Sequence, residues 1–226
     1  MRAVLCHQWG LPDTLKLETL PSPEPGPGEV LVTVRACGLS FPDVLTIQGK
    51  YQTKPPFPFT PGGDIAGVIK AVGKDVTRFK AGDAVFGRGK EACAEEVLAD
   101  PKQLWSLPAA VSPAEAVALG NYITSYHALR DRGQLKAGET LLVLGASGGV
   151  GLAAVELGKL MGAKVIACAS NAEKLETCRK SGADELVNYE TDNLRDRIKA
   201  ITADRGVDVV YDPVGDKFAD PAVRSL

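Results

Sequence analysis

Hydrophobic positions change their period once along this chain. From Met1 to about residue 110 they come in short runs, separated by glycine, proline and charged residues. Val30, Val32 and Val34 alternate with Leu31, Thr33 and Arg35, the period-two pattern of a strand with two unlike faces. Ala3 to Gln8, Leu15 to Leu20, Asp64 to Val72, Ala84 to Phe86, Ala92 to Ala99 and Leu104 to Ser106 read as further strands, that from Asp64 broken by Gly67. Pro21 to Gly28 is a stiff exposed loop and Lys54 to Pro61 is proline-rich and extended. Ser40 caps a short helix reaching Gln48, with Asp43 in its first turn. Many short strands with such turns predict a twisted or barrel-like antiparallel domain.

The pattern changes near Ser112. Ser112-Pro-Ala-Glu115 has the form of a capping box with proline at the first helical position, and predicts a long helix to about Leu129. Gln134 to Glu139 is a polar connection. Apolar strands then alternate with helical segments: strand 140–144, strand 164–169, helix from Ala172, strand 185–188, helix from Asn193, strand 207–212. Such alternation means βαβ units and a parallel sheet, so the chain is α/β, with a β-rich domain over 1–120 and a doubly wound domain over 121–226. A sheet of that type has six strands, and only four are accounted for before Leu226. The expectation is a fragment of a longer protein, its fourth strand a bare apolar edge.

Candidate chemistry concentrates at one turn. Leu141 to Leu144 is a strand apolar on both faces, followed by Gly148, Gly149 and Gly151 and then a helix. The glycines let a diphosphate approach the backbone, where the helix's free N–H groups point. Ala146 stands where the first glycine of the dinucleotide fingerprint belongs. Val150, Ala153, Ala154, Leu157, Leu160 and Met161 form the predicted inward stripe. A site for a ribose 2′-hydroxyl needs an acid at the end of the next strand, but this chain has Ala169-Ser170-Asn171, with Lys174 on the following helix. Serine, amide and ammonium suit a 2′-phosphate, so NADPH is expected in preference to NADH. Asn171 also reads as a helix cap, and Lys174 as a solvated charge; both readings are compatible with binding.

Composition narrows the rest. Net charge is −2, which disfavours nucleic acid or an anionic membrane as main partner. The longest apolar stretch, Leu141 to Val155, is broken by glycines and is no membrane span. The N-terminus has no signal-peptide core. Five scattered cysteines, mostly in apolar settings, read as reduced cytoplasmic thiols, with Cys93 standing alone.

Several segments together resemble a known family. They are Cys37-Gly-Leu-Ser-Phe-Pro-Asp43, Gly49-Lys-Tyr51, Pro58 to Val68, Thr124 to Leu129, Ala146-Ser-Gly-Gly-Val-Gly151 and Asp212-Pro-Val-Gly215. The chain is similar to medium-chain dehydrogenase/reductases, and most of all to their zinc-independent quinone oxidoreductase (ζ-crystallin-like) branch. The resemblance implies a GroES-like N-terminal domain and a Rossmann-type domain. Zinc-dependent relatives carry a cysteine and a Gly-His-Glu where this chain has Ser40 and Gly62-Gly63-Asp64. Glycine offers no ligand and serine is a poor one, so no metal is expected. His7 and His127 read as structural.

The resemblance further implies that Ser170, Lys174 and Tyr189 surround the 2′-phosphate, and that Ala146, Ser147, Gly148, Gly149, Val150 and Gly151 hold the diphosphate. Thr124 and Val214 would line the cofactor groove, and Ser40 and Tyr51 would face the nicotinamide end. Two alternatives stay open: Ser40 as a helix cap only, and Tyr51 as an aromatic wall rather than a proton donor. Without a Lewis acid, hydride transfer suits a quinone or conjugated enone, whose π system spreads the charge. An enoyl-thioester reductase on the same scaffold is the second reading, and an NADPH-binding protein with a crystallin-like structural role the third. A small-molecule substrate is the expected partner. Dimerisation is common in that family, so a homodimer is the oligomeric expectation for the longer protein.

Overall fold

The valine alternation at residues 30–34 becomes the centre of an antiparallel sheet. The computed structural model describes residues 1–226 and divides into two units, Met1–Leu119 and Gly120–Leu226. In the first, β1 (Arg2–Leu5) and β2 (Lys16–Thr19) form an antiparallel ribbon. The main sheet contains β3 (Val30–Gly38), β4 (Asp64–Val72), β5 (Ala84–Arg88), β6 (Glu96–Ala99) and β7 (Leu104–Ser106). Its order is β6-β3-β4-β5-β7. Val30, Val32, Ile65, Ile69, Val85 and Leu104 fill its core. The short helix α1 (Phe41–Ile47) follows β3.

Two strand expectations change. Gly67 does not break β4; the strand runs on through it. A Cβ there would lie 2.1 Å from the Thr33 carbonyl oxygen, so the glycine admits close approach of β3, whose register shifts between Val34 and Ala36. Of the segment from Ala92, only Glu96–Ala99 is strand. Ala92 and Cys93 instead donate their N–H groups to the carbonyls of Gly62 and Pro61, outside the ladder.

The helix expected after Ser112 is not continuous. The capping box forms, with both Ser112 N–H and Oγ donating to the Glu115 carboxylate. However, α2 covers only Pro113–Ala116, because Ala118 N–H turns back to the Glu115 carbonyl and tightens the turn. A second helix, α3 (Leu119–Tyr126), runs into a π-helical turn over His127–Arg132. Gly133 N–H, bonded to the Ala128 carbonyl at 2.7 Å, ends it.

In the second unit, β8 (Thr140–Val143), β9 (Lys164–Ala169), β10 (Glu185–Asn188) and β11 (Val209–Tyr211) are all parallel, in the order β10-β9-β8-β11. The intervening helices are α4 (Gly149–Leu160), α5 (Ala172–Lys180) and α6 (Leu194–Thr202), with α7 (Ala219–Val223) last. Successive residues of the strands face opposite cores. Leu141, Val143, Val165 and Ala167 pack with Ala154, Val155 and Cys178, while Leu142, Leu144, Ile166 and Cys168 pack with Leu194, Ile198 and Ala222. The apolar runs are thus explained by burial on both faces.

The inward stripe of α4 is made of smaller residues than the periodicity suggested. Gly151, Ala153, Ala154, Val155 and Gly158 are buried, and Leu160 is 83% exposed. A Cβ at Gly158 would come within 2.7 Å of Leu141 Cδ2. The helix sits so close to β8 that small residues must face it, and Leu160 is turned away. No helix is long and apolar enough to cross a membrane.

Candidate functional site

The carboxyl end of β8 leads into a turn whose shape is set by missing side chains. Gly145 has φ +57, and a Cβ there would meet Val214 Cγ2 at 2.7 Å. Val214 therefore lies against the turn. Its loop is held by Asp212, whose Oδ1 accepts from the N–H groups of Val214 and Gly215. The residue that must leave the usual backbone region is Gly145, one place before the expected position. Ala146 keeps its side chain because it is buried in the core, with its N–H bonded to the Cys168 carbonyl.

Gly151 packs α4 onto this turn: its Cβ would lie 2.2 Å from the Gly145 carbonyl oxygen. Gly148 is the N-cap and Gly149 the first helical residue, and both are exposed. Ser147 and Val150 are half-buried between them. The first N–H groups of α4 have no partner within the helix and converge here. Asn121 of α3 crowds this end, its Nδ2 2.8 Å from where a Gly149 Cβ would be. Sequence reasoning missed Asn121, since no local motif marks a residue brought in from an earlier helix. Beside it, buried Ser125 donates to the Val150 carbonyl at 2.7 Å and lies 3.1 Å from the Tyr211 hydroxyl. Thr124 donates to the Gly120 carbonyl and lines a cavity of about 360 Å³ with Tyr211, Asp212 and Pro213.

The end of β9 gathers a second set. Lys174 Nζ donates to Ser170 Oγ at 2.9 Å, and Asn171 Oδ1 caps α5 by accepting from Lys174 N–H. Lys174 is exposed, and no acid intervenes between β9 and Glu173 in the first turn of α5. Tyr189 follows β10 and is tied to β9 through its N–H and the Ala169 carbonyl. Its ring packs against Phe218 in a tilted arrangement, with centroids 4.4 Å apart. Burial, aided by the Glu190 charge, raises the Tyr189 hydroxyl above its usual range.

Ser40 and Tyr51 belong to the first unit. Ser40 is the N-cap of α1, and both its N–H and Oγ donate to Asp43 Oδ2. Asp43 Oδ1 in turn accepts from Gly62 N–H at 3.1 Å. Tyr51, half-buried, follows a turn at Gly49, where a Cβ would lie 2.9 Å from Trp9 Cδ2. At the place where zinc-dependent relatives would offer a histidine, Gly63 faces the Arg88 guanidinium. Burial raises the neighbouring Asp64 carboxyl, and Arg88 at 3.5 Å opposes that effect. Cys93 does not stand alone: its Sγ lies 3.8 Å from that of Cys37. Cys6, Cys168 and Cys178 are buried.

Two family models match the chain: "alcohol dehydrogenase GroES-like domain" over residues 26–125 and "zinc-binding dehydrogenase" over residues 149–226. Quinone oxidoreductase-like protein 2 of Mus musculus is 40% identical over 228 residues, which cover 100% of this chain and 65% of that one. The crystal structure of a probable oxidoreductase from Mycobacterium abscessus superposes with TM-score 0.93 at 40% identity, covering 100% of this chain and 72% of that chain. Escherichia coli quinone oxidoreductase complexed with NADPH gives TM-score 0.93 at 31% identity, covering 100% and 70%. The chain thus spans about two thirds of the length of the relatives it matches, 65% for the mouse protein.

Proposed function

The chain belongs to the medium-chain dehydrogenase/reductases, among their quinone oxidoreductases, and on that premise we propose that it serves an NADPH-dependent reduction of a quinone or similar conjugated carbonyl. The observation that carries the cofactor choice is the Ser170–Lys174 pair at the end of β9, where an NAD-preferring site would carry an acid. An ammonium and a hydroxyl held together suit a 2′-phosphate; a carboxylate would repel it.

The cradle fits a dinucleotide for a second reason. A Cβ at Gly151 would collide with backbone, so the turn and α4 approach each other as closely as a diphosphate site requires. In the proposal, Ala146, Ser147, Gly148, Gly149, Val150 and Gly151 take the diphosphate, and Ser170, Asn171, Lys174 and Tyr189 take the adenosine phosphate. Thr124 and Val214 border the remainder. NADPH, when bound, supplies the hydride. Tyr51 is the proposed hydrogen-bond or proton donor to the reduced acceptor. Ser40 Oγ, already donating to Asp43, keeps lone pairs with which to accept from the cofactor's amide.

A catalytic zinc does not fit this donor set, whatever the family model's description. The Ser40 hydroxyl is a poor zinc ligand, and position 63 has no side chain. No step is therefore assigned to a metal.

The test is a fluorescence titration of this chain and of a full-length version with NADPH and with NADH. Tighter binding of NADPH is expected. Lys174→Ala should lower NADPH affinity about tenfold to a hundredfold, the worth of one charge-assisted hydrogen bond, and leave NADH unchanged. Equal affinities, or preference for NADH, would refute the cofactor assignment. A panel of small quinones and crotonyl-type thioesters then decides the acceptor. Faster thioester turnover replaces the quinone reading with an enoyl reductase, and binding without turnover replaces it with a structural role.

A further inference from the structure

Cys37 and Cys93 meet although they come from separate parts of the first unit. Cys37 lies near the end of β3, paired with Ile65 of β4. Cys93 sits in the loop before β6, its N–H bonded to the Pro61 carbonyl and its carbonyl to Val4 N–H, each at 2.9 Å. The loop is thus pinned on both sides, and the 3.8 Å sulfur separation belongs to an ordered backbone. Gly62 leaves the space between them. With φ +91, it lies so that a Cβ would stand 2.9 Å from Cys37 Sγ and 3.4 Å from Cys93 Sγ.

The pair is also reachable. Unlike the three buried cysteines, Cys37 and Cys93 are partly exposed, in the wall of a cavity of about 410 Å³ that Arg2, Arg35 and Glu95 also line. The two sulfurs are within hydrogen-bond reach, and either can donate. That contact lowers Cys93 below the ordinary thiol range and raises Cys37, so Cys93 is the better nucleophile of the two.

We propose that Cys37 and Cys93 form a reversible dithiol–disulfide site that takes hydrogen peroxide as oxidant. The Cys93 thiolate attacks one peroxide oxygen, the O–O bond breaks, and the departing hydroxide leaves as water with the thiol proton. Cys93 is then a sulfenic acid. The Cys37 sulfur attacks the Cys93 sulfur, forming the S–S bond and expelling the sulfenic oxygen as a second water with the Cys37 proton. Two thiols lose two electrons in all, and one peroxide becomes two waters. The sulfurs close from 3.8 Å to the about 2.05 Å of a disulfide. The bond would tie the end of β3 to the loop before β6, beside the Gly62 segment that Asp43 holds.

The experiment treats the reduced chain with hydrogen peroxide, counts thiols after denaturation, and maps peptides without reduction. From five cysteines, three free thiols should remain, with a loss of about 2 Da and one peptide joining Cys37 to Cys93, all reversed by dithiothreitol. Cys37→Ser should stop at a Cys93 sulfenic acid, trapped as its dimedone adduct. Five remaining thiols, a pairing that includes a buried cysteine, or links only between molecules would overturn the proposal. The wild-type readout decides even where a variant fails to fold, and none of it depends on nucleotide binding.

Discussion

Lys174 Nζ rests on Ser170 Oγ, 2.9 Å away, across the junction of β9 and α5. The side chain is exposed, so its charge acts through water and responds to salt. The ratio of NADPH to NADH affinity should therefore fall as ionic strength rises, since the screening length drops from about 30 Å at 0.01 M to about 3 Å at 1 M. Titrations at several salt concentrations test this. In Lys174→Ala the ratio should be flat with salt, and in Ser170→Ala the loss should be only several-fold, as befits a neutral hydrogen-bond partner.

The turn after β8 makes a prediction about packing. Gly151→Ala puts a methyl 2.2 Å from the Gly145 carbonyl oxygen and must push α4 outward. Urea unfolding should show a loss of about 1–3 kcal/mol, together with weaker nucleotide binding. Gly148→Ala is the control. Its backbone is ordinary and its nearest neighbour is 3.3 Å away, so only the loss of a glycine N-cap is expected, about 0.5–1 kcal/mol.

Those two glycines show what sequence can and cannot convey. The motif Gly148-Gly149-x-Gly151 announced the strand–turn–helix because the residues that shape it lie close together in the chain. The parallel sheet followed from the alternation of apolar runs and helices, which two-sided burial enforces. Four things escaped. Asn121 over Gly149, and Cys93 beside Cys37, are contacts across long sequence separations with no periodic signature. The outward turn of Leu160 depends on how closely α4 approaches β8, which Gly158 sets and an apolar stripe does not reveal. The break after Ala116 escaped too, since the capping box fixes where a helix starts and not where it stops.

Asp184 carries a pH dependence. Burial pushes its carboxyl up, but Lys159 Nζ at 2.7 Å and Val165 N–H at 2.7 Å outweigh that, and the net shift is downward. A carboxyl lowered in the folded state adds stability above its unfolded pKa of about 3.9, and the gain is lost as pH falls through the lower folded value. Both partners are about one-third exposed, so the gain is about 1 kcal/mol or less. Asp184→Asn should therefore lower the urea midpoint at neutral pH, and the gap from wild type should narrow below about pH 4. A gap constant with pH would mean that the carboxylate's charge contributes nothing.

The buried clusters of the chain each fall within one unit. Val30, Ile65 and Leu104 pack in the first, and the clusters around Leu141 and Leu142 lie in the second. A nucleotide held by the β8 turn and the β9 end should raise the melting temperature of the second unit in calorimetry. Each half then has its own tolerance for mutation. A core substitution in one removes packing from that unit's own cluster, so each half answers to its own set of buried residues while sharing a single chain.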